Sequence, residues 1–501
     1  MTDAVGAFYQ RDEIAKTGVP GLDEILLGGF PAGCMYLLQG APGCGKTTMA
    51  IQFLMEGVRA GETVLYITLS ESKAELAKVA RSHGWSLEGI HLFELSSARR
   101  IWSAETKQTV FRSSDVELGE TTNLFLDEIR RINPTRLVFD SMSELRLLAG
   151  ESWRYRLQIL SLKQHFTEHS CTVLLLDDLT GDRTDLQLQS LVHGVINLEA
   201  EVPDYGSYTR RLRLQKMRGV PMIEGSHDIK ITTGGMQVYP RLIAAMRPGD
   251  GAASELLSSG VAGLDSMLGG GLHSGTSTLL VGPAGSGKSS IALRYALHAA
   301  TQGVRSQIFI FEERTETILL RSEALGLELS PHIDSGMIHL RPVDPAELSA
   351  GESAHTIRQA VEQRGVRLLV IDNLTAYQNA MHGERALLLH LHELLTYLGQ
   401  QGVTTLITYG QHGLFAPHAG TPVDVSYLAD NVLLLRFYEY RGTIRKALSV
   451  FKRRTGGHES TIRDLHLGSN GIEIGPPLEN FRGVLTGTPV FEANGHPTGV
   501  P

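Results

Sequence analysis

The stretch GAPGCGKTT, Gly40–Thr48, returns later in the same chain as GPAGSGKSS, Gly282–Ser290. Both match G-x-x-x-x-G-K-[ST]. In that pattern glycines let successive backbone N–H groups turn onto phosphate oxygens, and the helix that follows adds the positive end of its dipole. The candidate nucleotide-binding residues are Gly40, Gly43, Gly45, Lys46, Thr47 and Thr48, and again Gly282, Gly285, Gly287, Lys288, Ser289 and Ser290. The lysine neutralises the outer phosphates, and the Thr47 or Ser289 hydroxyl is placed to ligate magnesium. A single match could arise by chance in a chain with 54 glycines. Two matches in the same context do not read that way.

The context repeats as well. TGVPGLDEILLGGFPAGCMYLLQGAPGCGKTT (Thr17–Thr48) aligns without a gap to SGVAGLDSMLGGGLHSGTSTLLVGPAGSGKSS (Ser259–Ser290), with about half the positions identical. A strand enters each loop (Met35–Gln39; Ser277–Val281), and a helix leaves it to end at Gly61 or Gly303, where a left-handed residue can close the last turn. A second strand follows, TVLYITL or SQIFIF, and later RLVFDS or LLVIDN, apolar runs with the look of buried parallel strands. Alternating strands and helices predict an α/β fold with two tandem P-loop NTPase domains, each a mostly parallel sheet with helices on both faces. The expected domains are residues 1–240 and 259–501, joined by a linker over 241–258 that is rich in turn formers.

Length and composition fit this plan. A chain of 501 residues is too long for one ordinary core, and 42% hydrophobic with 20% charged residues describes a folded, water-exposed protein. No apolar run is long enough for a bilayer and the N-terminus does not read as a signal peptide, so the expected compartment is the cytoplasm, with no membrane partner. Three cysteines without C-x-x-C spacing argue against a disulfide scaffold or a zinc ribbon. A net charge of -8 disfavours a nucleic-acid partner.

Asp140 and Asp372 end the apolar strands, where a carboxylate can hold the magnesium shell or cap the next helix. In FIFEERTE, Glu312 and Glu313 follow a strand, and alternation along that strand predicts that only one faces the nucleotide, to orient or deprotonate the attacking group. The first repeat reads LYITLSESK, with Ser70 opposite Glu312 and Glu71 opposite Glu313. Serine is a poor base, so the halves differ where the chemistry is most exacting. Each half closes with a K-x-R pair, Lys216 and Arg218 or Lys452 and Arg454, either a charged sheet edge or cations for a neighbour's phosphates.

With these residues in place, the chain resembles the KaiC-like ATPases of the RecA-like P-loop group, from T-G-V-P-G-L-D at Thr17 to F-R-G-V-L-T-G-T-P at Phe481. The resemblance implies a double-ring homohexamer with ATP and Mg2+ bound between subunits. It implies that the K-x-R cations act in trans, and that the N-terminal ring hydrolyses ATP slowly. It also implies autophosphorylation of a Ser-Thr pair in the C-terminal ring. Here Ser426 holds the serine's place as candidate phosphoacceptor, and Tyr427 stands where the threonine is expected. The expected function is an ATP-hydrolysing signalling protein with unidentified protein partners. Against it stand a RecA-like DNA recombination or repair ATPase, which lacks support from any added basic module, and a scaffold merely glued by nucleotide.

Other features carry less. His390 and His392 do not share a helix face and read as surface or packing residues. Cys44 reads as a small loop filler, His83 and Trp85 as packing or subunit contact, and Asp177–Asp178 as either a cap or part of the metal shell.

Overall fold

The computed structural model describes residues 14–95, 114–178, 187–202, 207–247, 249, 255–347, 349–379, 384–410, 426–479, 481–484 and 490–491. The PVDV run ahead of Ser426, the last part of the F-R-G-V-L-T-G-T-P run and most of the C-terminal tail lie outside them. The chain forms two compact units, Met1–Arg241 and Leu242–Pro501. Within the segment expected as linker, Leu242 and Ala244 are buried in the C-terminal unit's core, and Leu256–Leu257 pairs as a short strand with Leu272–His273.

Nine strands build the N-terminal sheet: β1 Met35–Gly40, β2 Val64–Thr68, β3 Ile90–Glu94, β4 Arg136–Asp140, β5 Thr172–Asp177, β6 Gly194–Glu201, β7 Thr209–Met217, β8 Ser226–Thr232 and β9 Gly235–Tyr239. Their order is β3-β2-β4-β5-β1-β6-β7-β8-β9. The C-terminal sheet is β10 Ser277–Gly282, β11 Ser306–Ile310, β12 Ile338–Pro342, β13 Leu368–Asp372, β14 Thr404–Gly410, β15 Asn431–Tyr440, β16 Thr443–Arg453, β17 Arg463–Gly468 and β18 Gly471–Pro477. Its order, β12-β11-β13-β14-β10-β15-β16-β17-β18, is the same topology. Pairing is parallel from β3 through β6 and from β12 through β15, and antiparallel beyond.

The apolar runs form central strands because both faces are covered. Leu280, Ile308, Ile310, Leu368 and Val370 enter one core with the helix Lys288–Thr301. Their neighbours Leu279, Val281, Phe309, Leu369 and Ile371 enter the other with the helix Glu384–Gln400. Each such fully buried side chain contributes about 1.5–3 kcal/mol. The loop helices end as the glycines predict: Lys46–Arg59 and Lys288–Thr301 are each followed, one residue on, by Gly61 or Gly303 at φ 77°. Leu69 N donates to Asp140 O and Phe311 N to Asp372 O, which fixes the two repeats in one register past β2 and β11.

Candidate functional site

Both glycine-rich loops leave a central strand (β1, β10) at its carboxyl end and open a helix, beside the ends of β4 and β5 or β13 and β14. Gly45 and Gly287 cap those helices at φ 109°, and a Cβ there would lie 2.5 Å from Ile231 Cδ1 or 2.7 Å from Leu467 Cδ1. Gly40 and Gly282 are needed for a different reason: a Cβ would stand 2.5 or 2.6 Å from the carbonyl oxygen of Leu198 or Leu435. Cys44 is fully buried against Gly40 and its thiol is pushed up by burial. It fills the loop and is closed to solvent.

The lysines are clamped alike. Lys46 Nζ donates to Gly40 O at 2.7 Å and Ala41 O at 3.2 Å. Lys288 Nζ donates to Gly282 O and Pro283 O, both at 2.8 Å. Burial holds Lys288 below the usual lysine range, opposed by Asp372 and Glu312. Around Lys288 opens a cavity of about 550 Å³, lined by loop residues, Glu312, Glu313, Arg321, Asp372 and Gly410.

The acids differ between the repeats. Glu312 and Glu313 both line the cleft, correcting the expectation that one would turn away. The strand ends at Ile310, so the two glutamates sit in the bend beyond it, where alternation no longer applies. Glu313 Oε1 accepts from Arg321 at 2.5 Å, and its Oε2 is buried with no hydrogen-bond partner. Glu71, its counterpart, also has a buried, unpartnered Oε2. Burial first, then Asp140, pushes the Glu71 carboxyl up. Ser70 lies outside the strand and supplies no acid.

Asp140 and Asp372 are each held by one hydroxyl, from different strands. Tyr66 Oη on β2 donates to Asp140 at 2.5 Å. Its counterpart in the second repeat is Ile308, and there Thr408 Oγ1 on β14 donates to Asp372 at 2.5 Å. Burial raises the Asp140 carboxyl, with the Tyr66 bond and Lys46 pulling it down and Asp178 pushing it further up. In the sequence Tyr66 is one residue of the TVLYITL strand. Only the strand order, β2 beside β4, shows that its hydroxyl meets the aspartate.

The outer neighbours of β7 and β16 pair with them only at Arg210–Arg213 and Lys446–Leu448, so the K-x-R cations lie past that pairing, at a local edge of each sheet. Lys216 Nζ donates to Gln189 O and Val192 O at 2.6 and 2.7 Å, and Arg218 to Ser190 O at 2.8 Å. Lys452 and Arg454 make the matching bonds to Ser426 O, Ala429 O and Tyr427 O, at 2.9, 2.8 and 2.6 Å. In both repeats the pair gathers carbonyls of the segment just before β6 or β15, a short helix Gln187–Leu191 and Val192 in the first. The Arg454 side chain remains about half exposed, at 51%.

A family model described as "ATPase: KaiC" matches residues 15–243 and again 257–479. The chain belongs to the KaiC ATPase family. Both halves are thus KaiC-type ATPase domains. Among curated proteins it is similar to the circadian clock oscillator protein KaiC of Synechococcus elongatus, 25% identical over 490 residues, covering 96% of this chain and 93% of the relative. The KaiC of Parathermosynechococcus lividus is 24% identical over 484 residues, 95% of this chain and 87% of that protein. KaiC 1 of Synechocystis is 25% identical over 480 residues, with 95% and 91% covered.

Two contacts in this KaiC-type chain escaped the sequence. Asp178 Oδ1 stands 2.7 Å from Lys46 Nζ, while Asp177 is a structural acceptor for Gln39 and Arg146. Strand register, which the aligned segment does not reach, places Asp178 opposite Gly410. His83 Nε2 lies 3.3 Å from Thr48 Oγ1, and its ring packs on Trp85 at 4.7 Å. His390 instead pairs with the Tyr377 hydroxyl at 2.7 Å, in line with a packing role.

Proposed function

We propose that the chain binds ATP at both loops and hydrolyses it as a homohexameric, cytoplasmic signalling protein, each subunit's K-x-R segment completing a neighbour's pocket. The observation that carries this reading is the C-terminal cleft: a buried Lys288 on two loop carbonyls, with Asp372 and two glutamates around a cavity open to a triphosphate. In the proposed assignment Gly282, Gly285 and Gly287 turn N–H groups onto the phosphates and Lys288 meets the outer ones. Glu312 orients the attacking water and takes its proton. In the first repeat Gly40, Gly43, Gly45, Lys46 and Thr48 line the cradle, and Glu71 is the acid available in place of Ser70.

A hydroxyl (Thr47 or Ser289) beside a carboxylate (Asp140 or Asp372) is an oxygen-only donor set. With a buried, unpartnered glutamate oxygen in the same site, it fits magnesium. When bound, Mg2+ would neutralise phosphate charge. Among the described residues no helix is long and apolar enough to cross a membrane.

A second activity, transfer of the γ-phosphoryl group to Ser426, is favoured by one observation. Lys452 ties the Ser426 carbonyl to the strand bearing the trans cations, so acceptor and cations share one anchored segment. The Ser426 oxygen would attack phosphorus, its proton passing to Glu312 and ADP leaving. Phosphate release from Lys46→Ala and Lys288→Ala, with mass measured with and without ATP, tests the main reading. Loss of turnover at the altered site and an ATP-dependent hexamer support it, and unchanged turnover in both variants contradicts it. Labelled ATP on Ser426→Ala tests the second: label retained at full level removes Ser426 as acceptor.

A further inference from the structure

The two lysines differ in their third hydrogen-bond direction. An ammonium has three donors. Lys46 uses two on Gly40 O and Ala41 O, and its third direction is taken by Asp178 Oδ1 at 2.7 Å. Lys288 uses two on the equivalent carbonyls, Gly282 O and Pro283 O. Strand register makes the remaining comparison unambiguous. Gln39 pairs with Asp177 in the first sheet and Val281 with Tyr409 in the second, so one step on Asp178 corresponds to Gly410. Gly410 lines the C-terminal cavity. An anion in one repeat therefore fills space that is open in the other.

Asp178 is also aimed. Its backbone N–H donates to Ser143 Oγ at 3.2 Å, and the same hydroxyl lies 3.4 Å from Oδ2. Asp140 and Glu71 both feel its charge, so the first cradle holds three carboxylates around one lysine.

We propose that Asp178 is a built-in competitor for Lys46 that biases the N-terminal site toward a nucleoside diphosphate over a triphosphate, whereas the C-terminal site, with Gly410 in that place, has no such bias. The inference rests on both loops binding nucleotide. A diphosphate brings one phosphate within the lysine's reach, where Asp178 can still share the ammonium. A triphosphate extends one phosphate further toward the lysine. It must evict the carboxylate and then stand beside it, and like charges at such range disfavour each other strongly.

Calorimetry with magnesium, using ADP and an imido analogue of ATP, tests this on the full chain carrying Lys288→Ala, so that only the N-terminal site reports. Asp178→Asn preserves the side chain's shape, and Asp178→Gly copies the second repeat. Either should shift the ratio of the two dissociation constants toward the triphosphate by about tenfold or more. The reciprocal change is Gly410→Asp in a Lys46→Ala chain, where, among the described residues, the new Cβ would meet only Thr375 Oγ1, at 3.7 Å. It should shift the C-terminal ratio toward ADP. Both nucleotides binding with unchanged ratios in the folded Asp178 variants overturns the proposal. If folded Lys288→Ala protein binds neither nucleotide, the reading of the first loop fails instead, and the proposal falls with it.

Discussion

The two repeats share a nine-strand topology, a lysine clamp on two loop carbonyls and a K-x-R pair that gathers the same three backbone carbonyls. At the site they differ most in their acids and hydroxyls. The second repeat places Glu312 and Glu313 at an open cleft. The first has Ser70 in place of one glutamate, adds Asp178 just past a neighbouring strand, and replaces Thr408 as the aspartate's partner with Tyr66. The lesson is that the phosphate cradle is set by backbone and can be duplicated unchanged. Reactivity is set by a few side chains at strand ends, which can change without disturbing the sheet.

The comparison can be broken in several places. The largest effect is expected from Arg454→Ala, which should lower turnover of the C-terminal site on the order of 10³-fold if the arginine reaches a neighbour's phosphate. Phosphate release in a Lys46→Ala background reads this, and a change below a few-fold would confine Arg454 to holding the Tyr427 turn. Glu312→Gln should slow the same site by about 10²-fold or more, whereas Ser70→Ala should leave the N-terminal site near its starting rate. Equal losses from both changes would erase the proposed asymmetry.

A pH profile sharpens it further. Glu71 can orient water only when ionised, and its carboxyl is raised by burial and Asp140. Ionisation is lost as pH falls through that raised value. The acid limb of N-terminal hydrolysis, measured in Lys288→Ala protein, should therefore lie above the ordinary glutamate range and vanish in Glu71→Gln. A limb at the ordinary glutamate value would remove Glu71 from the role. The smallest effect belongs to the aspartate's partners. Tyr66→Phe and Thr408→Val each leave a carboxylate short of one hydrogen bond, costing about 1–3 kcal/mol in denaturant unfolding. A change in either under a few tenths would mean the hydroxyl is not supporting its aspartate.

Much of this was legible from residues alone. Loop spacing, apolar runs ending in Asp140 and Asp372, and glycines at 61 and 303 fix local structure through steric and periodic rules that act within a few residues. What stayed hidden depends on strand order. Asp178 reaches Lys46 because β5 lies beside β1, and Tyr66 reaches Asp140 because β2 lies beside β4. No local pattern encodes either neighbour. The facing of Glu312 and Glu313 was misread for a related reason: alternation holds only while the strand lasts, and it stops at Ile310.

Two unequal nucleotide sites on one polypeptide are the core of the account, and equilibrium dialysis with labelled nucleotide, counted per folded chain, reaches them most directly. Two bound nucleotides are predicted for the unaltered protein, and one for each of Lys46→Ala and Lys288→Ala. A single nucleotide in the unaltered chain, abolished by one lysine change and untouched by the other, would contradict it.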